Sequence, residues 1–161
     1  MTAEVTSCLL YNTTKKGTYP TMVEIILSNE TVSLINLAAR ITKAAIKDCI
    51  VEDDRIIYVV ESGQLGLAIG RKAENLEKLR TKTKKHIKFV EYNSNLKTFI
   101  KNLCKPYSVD DVAIEGRNND IVRIQAKSRD KSKLIGKGGR NIAMIRSIAQ
   151  RHHHVKDVQI K

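Results

Sequence analysis

The sequence predicts an α+β protein in which one small unit, ordered α-β-β-α-α-β with a three-stranded sheet packed on helices, occurs twice. Three observations carry this. Residues 62–86 slide onto 128–152 without a gap, an offset of 66 residues, and six positions are then identical: Ser62/Ser128, Ile69/Ile135, Gly70/Gly136, Asn75/Asn141, Arg80/Arg146 and His86/His152. Around both segments the apolar spacing switches between the helical period and the alternation of strands in the same order. A chain of 161 residues has room for two units of about 60–80 residues each, and self-similarity at a fixed offset marks a duplicated unit.

The first unit is expected over 22–92. Residues 1–21 show no core pattern and are expected to form a disordered extension, with Met22 opening the first apolar run. Val32, Ile35, Ala38, Ala39, Thr42, Ala45 and Ile46 recur at helical spacing behind Ser28 or Asn29 as N-cap, which predicts a helix over roughly 30–47. The β-rich runs Cys49 to Val51 and Arg55 to Val60 flank Glu52-Asp53-Asp54, a hairpin turn. Ser62 is expected to cap a short helix ending at Ile69. A second helix runs from about Ala73 to Lys84 with Leu76 and Leu79 inward, and the strand Ile87 to Glu91 closes the unit.

The second unit, 93–161, repeats that order. Leu96, Phe99, Ile100 and Leu103 form the apolar stripe of a helix, which Pro106 prevents from continuing. Val112 and Ile114 face Val122, Ile124 and Ala126 across a turn from Gly116 to Asp120. Arg123 and Gln125 lie between those last three, the alternation of half-buried strands. A short helix from Ser128, a glycine loop, a helix carrying Ile142, Ile145, Ile148 and Ala149, and a strand through Val158 and Ile160 complete the unit. The junction near Tyr92 to Ser94 is too short for a flexible linker, so the units are expected to sit as a fixed pair.

Charge narrows the partners. The net charge is +12, with twelve basic against nine acidic residues over 29–92 and fifteen against six over 93–161. Lys127, Arg129, Lys131, Lys133, Lys137, Arg140 and Arg146 surround the second glycine loop with Asp130 as the one acid, which points to a polyanion, and nucleic acid is the usual one. No apolar run approaches the ~18 residues of a membrane span, and no basic-then-apolar leader opens the chain. A cytoplasmic protein is expected. Cys8, Cys49 and Cys104 form no CxxC pair and read as small buried thiols.

Each loop, Ile69-Gly70-Arg71-Lys72-Ala73 and Ile135-Gly136-Lys137-Gly138-Gly139, offers backbone N–H groups at a helix N-terminus, where partial positive charge favours phosphate. Glycine removes the Cβ that would hold the chain off an anion. Arg71 and Lys137 add full charges.

Together with the segments GLAIGRKAENLEKLR and KLIGKGGRNIAMIRS, the order of elements resembles the KH domain in its type II arrangement. In that family a GXXG loop between two helices clamps about four single-stranded nucleotides. Gly136-Lys137-Gly138-Gly139 matches that loop completely; Gly70-Arg71-Lys72-Ala73 departs at its last position, although alanine also starts a helix well. Over residues 22–161 the tandem pair is similar to the archaeal NusA family of transcription termination and antitermination factors. The likeness extends to Asp48-Cys49-Ile50-Val51, Val90-Glu91-Tyr92, Phe99-Ile100-Lys101-Asn102 and the ending from Arg151-His152 to Val158.

The resemblance implies single-stranded RNA, as the nascent transcript, and RNA polymerase as partners. It implies RNA contact by Ile69, Gly70, Arg71, Lys72, Ala73 and Asn75, and by Ile135, Gly136, Lys137, Gly138, Gly139, Arg140 and Asn141. A ribosome-associated or RNA-processing KH protein and a protein-interaction scaffold without RNA binding stay open as alternatives. A monomer is the favoured reading.

No enzyme, cofactor or metal is read here. The loops lack GxxxxGK[ST] spacing and follow a helix where a nucleotide-binding P-loop follows a strand. Asp53-Asp54 and Asp110-Asp111 read as solvated turn residues. His152-His153-His154, taken as residues entering the last strand, point to alternate faces and cannot converge on one ion; they read as solvated or RNA-flanking. Aromatic residues make up 4% of the chain, so aliphatic grooves and phosphate contacts replace aromatic stacking.

Overall fold

Ser28 starts the first helix: its hydroxyl accepts the amide of Thr31 at 3.2 Å, one of the donors that a helix's first turn leaves without a partner. In the computed structural model, which describes residues 7–10, 23–118 and 120–161, that helix, α1, spans Asn29–Thr42. Two strands precede it, β1 (Ser7–Leu10) and β2 (Val23–Ile26), paired antiparallel. The remainder of the stretch expected to be disordered, 1–6 and 11–21, lies outside the described residues. Contacts divide the chain into two units, the first ending at Phe89 and the second starting at Val90.

In the first unit α1 is shorter than its apolar spacing predicts. Thr42 Oγ1 donates to the carbonyl of Ala38 at 2.8 Å and accepts the amide of Ala44 at 3.2 Å, and Lys43 closes the helix at φ 57°. Ala45 and Ile46 continue the helical spacing, yet Ile46 opens β3 (Ile46–Val51), which pairs antiparallel with β4 (Arg55–Val60) around the Glu52–Arg55 turn. Next come α2 (Leu65–Ile69), α3 (Glu74–Thr83) and β5 (His86–Glu91), with sheet order β3-β4-β5. Ser62 caps nothing. It is exposed three residues before α2, and Gln64 precedes that helix without a side-chain cap, because its Oε1 accepts the amide of Ala45 at 2.6 Å. The core joins Ala38, Cys49, Ile56, Tyr58 and Leu79. Tyr58 stacks on Phe89 at 5.5 Å, and burial pushes its phenol pKa well up.

The second unit runs α4 (Leu96–Cys104), β6 (Val109–Glu115), β7 (Ile121–Ala126), α5 (Ser128–Ile135), α6 (Arg140–His153) and β8 (Asp157–Ile160). Asn95 caps α4 by accepting the amide of Thr98 at 3.2 Å. β6 and β7 pair antiparallel and β7 and β8 pair parallel, so the chain after α6 returns alongside the central strand. Phe99, Ile100, Leu103, Val122, Ile124, Ile145, Ile148 and Val158 are buried. Asn119, in the turn expected from Gly116 to Asp120, lies outside the described residues. Cys49 and Cys104 are buried thiols outside any disulfide.

The His86/His152 identity does not survive folding. α6 has 14 residues against 10 for α3, and both end on a left-handed residue, Lys84 and His154, each at φ 55°. The offset therefore grows from 66 to 70 across the pair, one added helical turn. His86 opens β5, whereas His152 lies inside α6, buried. The three histidines end a helix; they do not enter a strand. His152 and His153 pack against Tyr92 and Phe99, and His153 Nε2 is 2.9 Å from the carbonyl of Asn93. His152 and His153 are therefore neither solvated nor strand residues, because the extra turn carries them into the second unit's interior, while His154 just after the helix stays exposed.

Candidate nucleic-acid interface

Both glycine loops take one backbone path. Gly70 lies at φ 76°, ψ 176° and Gly136 at φ 77°, ψ 170°, a region open essentially to glycine alone. The third positions are left-handed, Lys72 at φ 49°, ψ 32° and Gly138 at φ 65°, ψ 20°. So are the fourth, Ala73 at φ 60°, ψ 27° and Gly139 at φ 74°, ψ 17°. Ala73 thus does not begin α3 as a good helix former; it sits ahead of the helix in a conformation that costs an L-residue roughly 1–2 kcal/mol. The fold holds two consecutive non-glycine residues where the second loop uses two glycines.

Both loops also bond alike. Gly70 and Gly136 donate back to Gly66 and Ser132, at 3.0 and 2.9 Å. Ala73 and Gly139 donate to the lead glycine carbonyls at 3.4 and 3.1 Å, and Glu74 and Arg140 donate to the carbonyls of Arg71 and Lys137. Between them, among the described residues, the amides of Arg71, Lys72, Lys137 and Gly138 donate to no protein acceptor. All four residues are exposed. Two adjacent unpaired N–H groups beside one or two cations form a compact anion site.

Ile69 and Ile135 are the half-buried last residues of α2 and α5. Asn75 and Asn141, second in their helices, reach back across the loop: Asn75 Nδ2 donates to the carbonyl of Leu67 at 3.1 Å and Asn141 Nδ2 to that of Lys133 at 2.7 Å. Arg140 is half-buried at the start of α6. The structure therefore brings every expected residue into one of two loop sites, each within its own unit.

The flanks differ. Exposed Lys127, Arg129, Lys133 and Lys137 line the α5 side of the second loop. At the first loop, Leu67 stands where the second has Lys133 and Glu74 where it has Arg140. Leu67 is 52% exposed and borders a shallow concavity of about 430 Å³ that also includes Thr42, Gly66 and Arg71. Glu74 is ion-paired with Lys78. Sequence reasoning passed over Leu67, since an apolar residue in a short helix reads as core; its partner Lys133 at the matching position was the available signal.

Arg146, which the sequence groups with the basic surround of the second loop, belongs elsewhere. Its Nε lies 2.7 Å from Asp157 Oδ1, and its Nη2 donates to the carbonyl of Val158 at 3.1 Å, so it ties α6 to β8. Asp157 is held below the ordinary carboxylate range, first by the Gln159 amide and further by the Val158 amide and Arg146. Among the described residues no cluster of His, Cys, Asp and Glu is placed to hold a metal ion, and no helix is long and apolar enough to cross a membrane.

Comparison with known proteins bears on both units. A family model described as a KH domain matches residues 35–101, and one described as a NusA-like second KH domain matches residues 96–161. The chain is 34% identical over 139 residues to the probable transcription termination protein NusA of Methanococcus vannielii, covering 86% of this chain and 80% of that one. It is 30% identical over 142 residues to the protein of that name from Thermoplasma acidophilum, covering 87% and 98%. The crystal structure of APE1850 matches with a TM-score of 0.70 at 32% identity, covering 84% of this chain and all of that one.

Proposed function

The chain belongs to the archaeal NusA family of tandem KH-domain proteins, and we propose from that premise that it is an RNA-binding factor of transcription termination or antitermination. It binds single-stranded RNA, in the cell the nascent transcript, through the loops at 69–73 and 135–139. The observation that carries this reading is the repeated turn with two unpaired amides on exposed residues and adjoining cations. Such a turn takes one phosphate oxygen per free N–H, and Lys137 or Arg71 adds Coulomb attraction. The second loop contributes more, because Lys133 and Arg140 flank it where the first has Leu67 and Glu74. The protein works as a monomeric cytoplasmic binding factor with no catalytic step, and RNA polymerase is its protein partner.

The double variant Lys137→Asp, Gly138→Asp tests the site. Gly138 lies at φ 65°, a conformation that aspartate adopts more readily than most residues, so the fold survives. Affinity for a short oligouridylate is expected to fall at least about tenfold, the effect of replacing a charge-assisted phosphate contact with repulsion. Unchanged affinity in the folded variant overturns the assignment. Co-purification with polymerase rather than with ribosomal subunits tests the transcriptional role.

A further inference from the structure

A helix that stops leaves its last carbonyls without amide donors. At the end of α2 the amide that would continue the i to i+4 ladder onto the carbonyl of Leu67 is that of Arg71, and at the end of α5 the amide that would reach Lys133 is that of Lys137. Neither arrives, because the chain swings away at Gly70 and Gly136, at φ 76° and 77°. An asparagine amide takes the empty place in each unit: Asn75 Nδ2 on Leu67 O, and Asn141 Nδ2 on Lys133 O. The lead glycine makes room for it. A Cβ built on Gly70 would lie 2.8 Å from Asn75 Nδ2, and one on Gly136 would lie 2.9 Å from Asn141 Cγ.

We propose that Asn75 and Asn141 are positioning residues: each occupies the carbonyl that the loop's first cationic residue would otherwise bond, and so keeps the amide of Arg71 or Lys137 unpaired for an RNA phosphate. Glycine and asparagine then work as one device. Glycine turns the chain out of the helix and clears the space, and asparagine bonds the carbonyl left behind from the place that the loop amide would take. Two copies that differ at most neighbouring positions arrive at the same exchange of donors. The RNA consequence rests on the function proposed above; the exchange of donors does not.

Amide hydrogen exchange of the full chain, read by NMR, separates the two. In the unaltered protein the Arg71 and Lys137 amides are expected to exchange within about tenfold of the unstructured rate, while the bonded amides of Gly70 and Gly136 are protected. In Asn141→Ala the freed Lys133 carbonyl recaptures the loop. Protection of the Lys137 amide is expected to rise about tenfold or more, with Arg71 unchanged as internal control, and affinity for the oligouridylate to fall about fivefold or more. Asn75→Ala gives the mirror result at Arg71.

A gain of protection on removing a side chain is not what general loosening produces. Arg71 and Lys137 amides as protected as their neighbours in the unaltered protein would overturn the proposal. So would an Asn141→Ala variant that loses RNA with no new protection, since asparagine would then touch RNA itself, or one that changes neither. A protein that binds no RNA at all refutes the function proposed above, and the exchange pattern still decides the role of asparagine. If Asn141→Ala does not fold, Asn75→Ala and the unaltered protein carry the test.

Discussion

Ala73 and Gly139 occupy equivalent backbone positions, at φ 60° and 74°, with unequal freedom to be there. An alanine in the left-handed region carries roughly 1–2 kcal/mol of strain, while a glycine carries none but loses more entropy on folding, about 0.4–1 kcal/mol relative to alanine. Ala73→Gly is therefore expected to stabilise the protein by up to about 1 kcal/mol, and Gly139→Ala to destabilise it by a similar amount, both read as urea midpoints at unchanged m-value. An Ala73→Gly variant that is less stable would show that the alanine is not strained. Gly136 is a harder case. A side chain there meets both the glycine-only dihedrals and the Asn141 amide, so Gly136→Ala is expected to cost about 2–3 kcal/mol, measured the same way.

Secondary-structure elements in the two units diverge at their ends and in their faces. The added turn of α6 places His153 against Tyr92, Phe99 and the Asn93 carbonyl. Its pKa is lowered chiefly by burial; the hydrogen bond to Asn93 opposes that shift, and His152 and His154 reinforce it. A histidine whose folded pKa lies below its unfolded value of about 6.5 contributes full stability above that pH. The unfolded chain takes up the proton first as pH falls, so stability declines from about pH 6.5 down to the lower folded pKa. Thermal unfolding of the native chain is expected to show that decline, and His153→Phe, which keeps the ring but not the proton, to flatten it. An equal slope in the variant would remove His153 as the cause. The central strands differ as well: β4 buries Ile56, Ile57, Tyr58, Val59 and Val60 in succession, whereas β7 buries Val122 and Ile124 and leaves Gln125 exposed. A continuous apolar run against an alternating one carried that difference already.

Across the whole molecule, charge sets how RNA affinity responds to salt. The net charge of +12 is concentrated in 93–161, where fifteen basic residues face six acidic ones. Affinity for single-stranded RNA is expected to fall linearly in log–log form with salt, with a slope near −0.7 for each phosphate neutralised. Replacing Lys133 and Lys137 by glutamine is expected to lower the magnitude of that slope by more than replacing Arg71 and Lys72 does, since Leu67 and Glu74 beside the first loop add no cation. Equal slopes for the two pairs would mean that the loops share the phosphate contacts evenly.

Sequence alone determined the duplication, the order of elements, the position of both loops and the basic character of the second unit. These follow from local spacing, glycine placement and residue charge, none of which depends on distant contacts. Tertiary structure alone decided that α1 stops at Thr42 and that α6 outgrows α3 by a turn. It also decided that Arg146 serves β8 and that alanine copies a glycine's dihedrals at position 73. In the first three cases a local preference is outweighed by partners far along the chain. The Gln64 side-chain oxygen that holds the Ala45 amide, the Tyr92 and Phe99 rings around His153, and the Asp157 carboxylate facing Arg146 come close only when the chain is folded. Asparagine at 75 and 141 shows both halves at once: repetition marks the residue in the sequence, and only the fold reveals that its amide stands in for the one the loop releases.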